Sequence, residues 1–101
     1  MEFDLSGRTA FVTGATSGLG RRFARVLAQA GADVAIAGRR AERLVDLKAE
    51  IESLGRKCAA VPLDVTDVSA IPRAFDAAEV VLGPIHVLVN NAGMSRDGKA
   101  V

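Results

Sequence analysis

At 101 residues the chain has the length of one domain. Half of its residues are apolar, enough for a core. With 13 basic against 12 acidic residues, no global field recruits nucleic acid or a membrane surface.

The first predicted element is a strand over TAFVTG (9–14), followed by a glycine-rich stretch and a helix. That helix carries the stripe Leu19, Phe23, Val26, Leu27 and Ala30 and stops at Gly31. A second strand follows over DVAIAG (33–38), then a helix striped by Leu44, Leu47, Ile51 and Leu54 and closed by Gly55. KCAAVPLDV (57–65) reads as the third strand, ahead of a helix bearing Ile71, Phe75, Ala78 and Leu82 and ending at Gly83-Pro84. Pro72 fits only the first turn of that helix, so Ser69 is the expected N-cap; otherwise the helix kinks there. IHVLVNNAG (85–93) is the fourth strand. Runs that are apolar throughout suit strands buried on both faces. Strand–helix alternation with right-handed crossovers then gives an α/β fold of three layers, a parallel sheet between helices.

In such a sheet, ligands bind beyond the carboxyl ends of the strands. Gly14, Gly18 and Gly20 follow the first strand and open the first helix, as a dinucleotide site requires. Gly14 permits the sharp turn, Gly18 lets backbone approach a pyrophosphate, and Gly20 lets the helix sit close to the sheet. The spacing is G-x-x-x-G-x-G, and no lysine follows the last glycine, so it is not a P-loop; a plain tight turn is the alternative. Asp33 lies about 20 residues on, the spacing of a ribose-binding acid, but at the wrong end of its strand, and is read as a loop residue. At the right end, Gly38 stands where that acid would sit, with Arg39 and Arg40 behind it. A missing acid and an added guanidinium favour a 2′-phosphate, hence NADP(H) over NAD(H); two solvated arginines are the plain alternative.

Asp64 closes the third strand and can accept from a base amino group or cap the next helix, the role assigned to Thr66 and Asp67. Asn90, Asn91, Ala92 and Gly93 set two amides and a small pair after the last strand, a surface shaped for a flat ligand. His86 starts the fourth strand, opposite the site, and is read as a surface or packing histidine. Arg21, Arg22 and Arg25 are read as a solvated helix face, with no aromatic interleaving to suggest nucleic acid. The lone Cys58 excludes an internal disulfide and suits a reducing, cytoplasmic setting, and no cluster suggests a metal. No apolar run reaches the length of a membrane span, and MEFDLSGRT lacks a signal-peptide layout.

TGATSGLG (13–20), LDVTD (63–67) and NNAG (90–93), in that order and with those separations, resemble the short-chain dehydrogenase/reductase family over essentially the whole chain. The resemblance implies a Rossmann sheet with strand order 3-2-1-4. It implies that Gly14, Thr16, Ser17, Gly18, Leu19 and Gly20 line the pyrophosphate turn. It places Asp64 and Val65 at the adenine, and Asn91, Ala92 and Gly93 along the adenosine ribose towards the nicotinamide. Asn90 matches the asparagine that stabilises the sheet. Members with arginine at the position of Arg39 commonly prefer NADP(H).

The family's chemistry uses a serine, a Tyr-x-x-x-Lys helix and usually an asparagine, with the tyrosine as general acid/base at the substrate oxygen. This chain ends eight residues after Gly93 and contains no tyrosine, so no catalytic residue is assigned. Arg96-Asp97 after NNAGMS resembles the carrier-linked 3-oxoacyl reductases of the family. The expectation is that residues 1–101 are the amino-terminal, cofactor-binding part of an oxidoreductase. The parent would move hydride between NADP(H), with NAD(H) possible, and a small carbonyl or alcohol substrate. Alone, the chain is expected to be inactive, and either to associate through the apolar edge HVLVNN or to need the residues that would follow in order to be well behaved; a homo-oligomer is the expected assembly. The competing expectation is a non-catalytic dinucleotide-binding or assembly module.

Overall fold

A computed structural model describes residues 4–91. Its elements alternate as β1 (Thr9–Thr13), α1 (Gly18–Gln29), β2 (Asp33–Gly38), α2 (Ala41–Ser53), β3 (Cys58–Pro62), α3 (Ala70–Leu82) and β4 (Val87–Asn90). The strands form one parallel sheet in the order β3-β2-β1-β4. This is the Rossmann arrangement expected from the sequence. β1 is buried along its whole length and β2 at all but its first residue, which is why both read as unbroken apolar runs.

Successive strand residues face opposite sides, so each strand feeds two cores. On one side Val12, Val34 and Ile36 meet Ala24 and Ala28 of α1 and Leu44, Leu47 and Ile51 of α2. On the other, Phe11, Ala35, Ala37 and Ala59 meet Ala74 and Ala78 of α3. There the rings of Phe11 and Phe75 stack with centroids 4.4 Å apart.

The helices correct the expected stripes. On α1 the buried residues are Gly20, Ala24 and Ala28, while Leu19 and Val26 stand about half exposed. Small residues at i, i+4 and i+8 let α1 lie close against the sheet, and the larger Phe23 and Leu27 fill only its flank. On α2 the stripe holds at Leu44, Leu47 and Ile51, but Leu54 is the exposed C-cap residue. On α3, Ala74 and Ala78 are fully inside, while Ile71, Phe75 and Leu82 are half-buried. Ser69 does hold the N-cap position of α3, with Pro72 in the first turn, but its hydroxyl donates to Asp67 Oδ1 instead of capping a backbone N–H. Thr66 and Asp67 do not cap the helix; they belong to the loop ahead of it.

Two polar devices fasten the layers. Glu50 on α2 accepts from Arg21 at one carboxylate oxygen and from Arg25 at the other, each at 2.9 Å. The basic face of α1 is therefore largely committed to its neighbouring helix. Asp33 is the first residue of β2, not a loop residue, and its carboxylate accepts from the Lys57 N–H at 3.0 Å.

Candidate functional site

All four strands end on one side of the molecule, and the candidate residues gather there. Thr13 pairs with Asn90 across β1 and β4, and Gly38 with Pro62 across β2 and β3, so the carboxyl ends are level. His86, just before β4, lies at the other end. Its role there is architectural. The ring Nδ1 accepts from the Thr9 N–H, and the His86 backbone N–H donates to the Thr9 carbonyl, extending the β1–β4 ladder.

The glycine-rich turn is built as its sequence implies. Gly14 has φ +62°, a conformation that costs other residues strain. Ser17 is the N-cap of α1 and accepts from the Gly20 N–H at 3.1 Å while donating to the Gly14 carbonyl at 2.9 Å. A Cβ on Gly20 would run into the Gly14 carbonyl oxygen and lie 2.8 Å from Asn91 Nδ2, so only glycine fits. Gly18 differs from both. A Cβ there would meet nothing within 4 Å, and its φ is not in the left-handed region. The N–H groups of Gly18 and Leu19 have no acceptor among the described residues, leaving donors at the positive end of the α1 dipole.

Asn91 is 8% exposed, and its side-chain amide donates to the Gly14 carbonyl at 3.1 Å and to Ser17 Oγ at 2.9 Å. Asn90 Oδ1 accepts from the Thr13 hydroxyl at 3.0 Å, a bridge between strand ends that suits its expected role in the sheet. Ala92 and Gly93 lie outside the described residues.

The β2 end meets the turn through Thr16. A Cβ on Gly38 would lie 3.0 Å from Thr16 Cγ2 and 3.2 Å from its Oγ1, so the small residue at 38 has a packing reason of its own. Arg39 follows, exposed, and the Gly38 carbonyl accepts from the Leu63 N–H at 2.8 Å, drawing the β3 end alongside. Asp64 is exposed, and one of its oxygens accepts from both the hydroxyl and the N–H of Thr66. Those two bonds hold its carboxyl below the usual range, and the Arg39 guanidinium acts in the same direction. Val65 faces α3, where with Leu63, Ile71, Phe75, Leu88, Thr13 and Asn90 it lines an apolar hollow of about 270 Å³. Leu19 is exposed beside the turn.

Three relations escaped sequence reading: the Asn91 bolt, the Thr16–Gly38 contact and the Glu50 clamp. Each joins residues far apart in the chain, and no local pattern announces them. Among the described residues, no three His, Cys, Asp or Glu groups could hold a metal ion, and no helix is long and apolar enough to cross a membrane.

A parallel sheet of order 3-2-1-4 with a glycine turn between its first strand and helix defines a fold of the Rossmann type. The chain belongs to the short chain dehydrogenase family, whose model matches residues 8–101. It is 44% identical over 94 residues to gluconate 5-dehydrogenase of Gluconobacter oxydans, an alignment covering 93% of this chain and 37% of that protein. L-sorbose reductase of Gluconobacter frateurii, solved with NADPH and L-sorbose, superposes with a TM-score of 0.85 at 30% identity, over 92% of this chain and 36% of that one. A 7α-hydroxysteroid dehydrogenase solved with NADH and 7-oxo glycochenodeoxycholic acid superposes at 0.84 and 32% identity, over 88% of this chain and 35% of that one. The chain thus spans little more than a third of the length of these relatives.

Proposed function

We propose that residues 1–101 are the amino-terminal part of a dinucleotide-binding domain belonging to an NADP(H)-dependent short-chain oxidoreductase. The observation that carries the reading is the turn from Gly14 to Gly20. Gly14 and Gly20 are explained by the protein's own packing, but Gly18 is not. An open glycine beside two helix-terminal N–H groups with no acceptor among the described residues suits a pyrophosphate held by backbone donors. Gly14, Thr16, Ser17, Gly18, Leu19 and Gly20 form that cradle in this reading. The bound nicotinamide would supply the hydride exchanged with a carbonyl or alcohol; the chain's residues bind and orient the cofactor.

Preference for NADP(H) rests on Arg39, exposed at the β2 end with no acid beside it on that strand. The contact of Gly38 with Thr16 weakens one half of that argument, since glycine there needs no reference to the cofactor, and leaves the guanidinium to carry it. Asp64, kept ionised by Thr66 and with its second oxygen unbonded among the described residues, suits a base amino group. Val65, Asn91, Ala92 and Gly93 complete the proposed cofactor face. The sequence holds no tyrosine, so we expect no turnover by the family's tyrosine mechanism from these residues alone. Leu88, exposed on β4, supports homo-oligomerisation, and the lone free Cys58 supports a cytoplasmic setting.

The test is a titration of the chain with NADPH and NADH, followed by calorimetry. NADPH is expected to bind at least about tenfold tighter, the worth of one charge-assisted contact to the 2′-phosphate. Tighter NADH binding sinks the Arg39 argument, and binding of neither sinks the dinucleotide reading.

A further inference from the structure

The side-chain amide of Asn91 is turned into the protein. Its nitrogen donates to the Gly14 carbonyl and to Ser17 Oγ. The Ser17 hydroxyl is equally committed: it donates to the Gly14 carbonyl and accepts from Gly20 N and from Asn91. This closed network ties the end of β4 to the turn between β1 and α1, across 74 residues of chain. It is also tight, since a Cβ on Gly20 would come within 2.8 Å of Asn91 Nδ2. The N–H groups of Gly18 and Leu19 sit on the same turn, so its geometry sets where they stand.

We propose that Asn91 is a positioning residue for the phosphate turn: its side chain holds Gly14 and Ser17 so that the Gly18 and Leu19 N–H groups are pre-arranged for a diphosphate. This rests on the dinucleotide reading above and assigns the Asn91 side chain a role other than contact with the ribose. Two neutral hydrogen bonds to a preformed site correspond to about a tenfold change in affinity for ligands that use the site.

Asn91→Ala is expected to weaken binding of ADP and of NADP⁺ by about tenfold, while adenosine 2′-monophosphate, which lacks the diphosphate, changes by less than about twofold. Asn91→Asp keeps the shape but turns a carboxylate on the Gly14 carbonyl, and should lose at least as much as the alanine variant. In the ligand-free chain, amide hydrogen exchange of Gly20 should accelerate in Asn91→Ala, while that of Val12 and Ile36 stays at its wild-type value. Unchanged ADP affinity with unchanged Gly20 exchange overturns the proposal. So does an equal loss for all three ligands with faster exchange at Val12 and Ile36, which would make Asn91 a general stabiliser. If the wild-type chain binds neither ADP nor NADP⁺, the dinucleotide reading falls, and the Gly20 exchange result still decides whether Asn91 holds the turn.

Discussion

The two outermost strands among the described residues, β3 and β4, are built differently. β3 has a helix on each face: α2 beside Lys48 and α3 beside Ala77 and Val81, around an open hollow of about 410 Å³. Its outer rim is also blunted. The Val34 N–H donates to the Lys57 carbonyl, and the Leu63 N–H to that of Gly38. Alternation along a parallel strand therefore turns Cys58, Ala60 and Pro62 outward, and Pro62 has no N–H to offer another strand. Among the described residues β4 pairs only with β1, and it alternates between half-buried and exposed. Its Leu88 is 54% exposed above the hollow beside α3, and no proline interrupts it. A parallel strand is quiet when its faces and its edge are both dealt with. Among the described residues β3 meets that condition and β4 does not.

The largest expected consequence is in the cost of truncation. Ile51→Ala, facing the sheet from α2, should lose about 2–5 kcal/mol of stability, whereas Leu88→Ala on β4 should lose under about 1 kcal/mol, both read from chemical denaturation. Equal costs would erase the distinction between the edges.

Thiol chemistry gives the next contrast. Burial pushes the Cys58 thiol up to about 12 from 9.0, so at pH 8 it is protonated as well as covered. Its alkylation in the folded chain should run at least about a hundredfold slower than in denaturant, while a Leu88→Cys thiol should react at once. Well below pH 9 the thiol is protonated in folded and unfolded chains alike, and pH leaves stability untouched through it. Between pH 9 and 12 the unfolded chain ionises first, so stability falls as pH rises.

Association should follow the open edge. Leu88→Lys is expected to shift the chain towards monomer in analytical ultracentrifugation with little change in stability, and Pro62→Ala, which restores an outward N–H on β3, to raise self-association slightly. The smallest effect belongs to Thr13→Val. Losing the hydroxyl bond to Asn90 should cost about 0.5–1.5 kcal/mol, and a larger loss would make the β1–β4 junction firmer than its exposure suggests.

Much of this architecture was legible in the chain because its signals are local. Unbroken apolar runs marked β1 and β2, glycines marked the helix stops, and TGATSGLG marked the turn. The stripe of α1 is misleading because burial on this helix follows size and not hydrophobicity. Gly20, Ala24 and Ala28 are inside by virtue of being small, and Leu19 and Val26 were left outside. His86 was placed at the correct end, but its bond to the Thr9 N–H follows from strand register, which composition does not encode. At the site, Gly14 and Gly20 are readable from their place between an apolar strand and a helix, and Asn91 from its place after the last strand. The partners of Asn91 are not, because they lie 74 and 77 residues away, and nothing in NNAG says which way an amide points.

The stretch ahead of β1 carries a practical consequence. Leu5 donates to the Ala30 carbonyl at 2.7 Å, and Arg8 accepts from Asp33, so this stretch is stitched to the end of α1 and the start of β2. That is the pole of the molecule away from the glycine turn, separated from it by β1, five residues at about 3.3 Å each, or roughly 16 Å. A fluorophore or surface tether attached to this stretch would leave the strand ends facing solution, which makes it the natural handle for immobilised binding measurements.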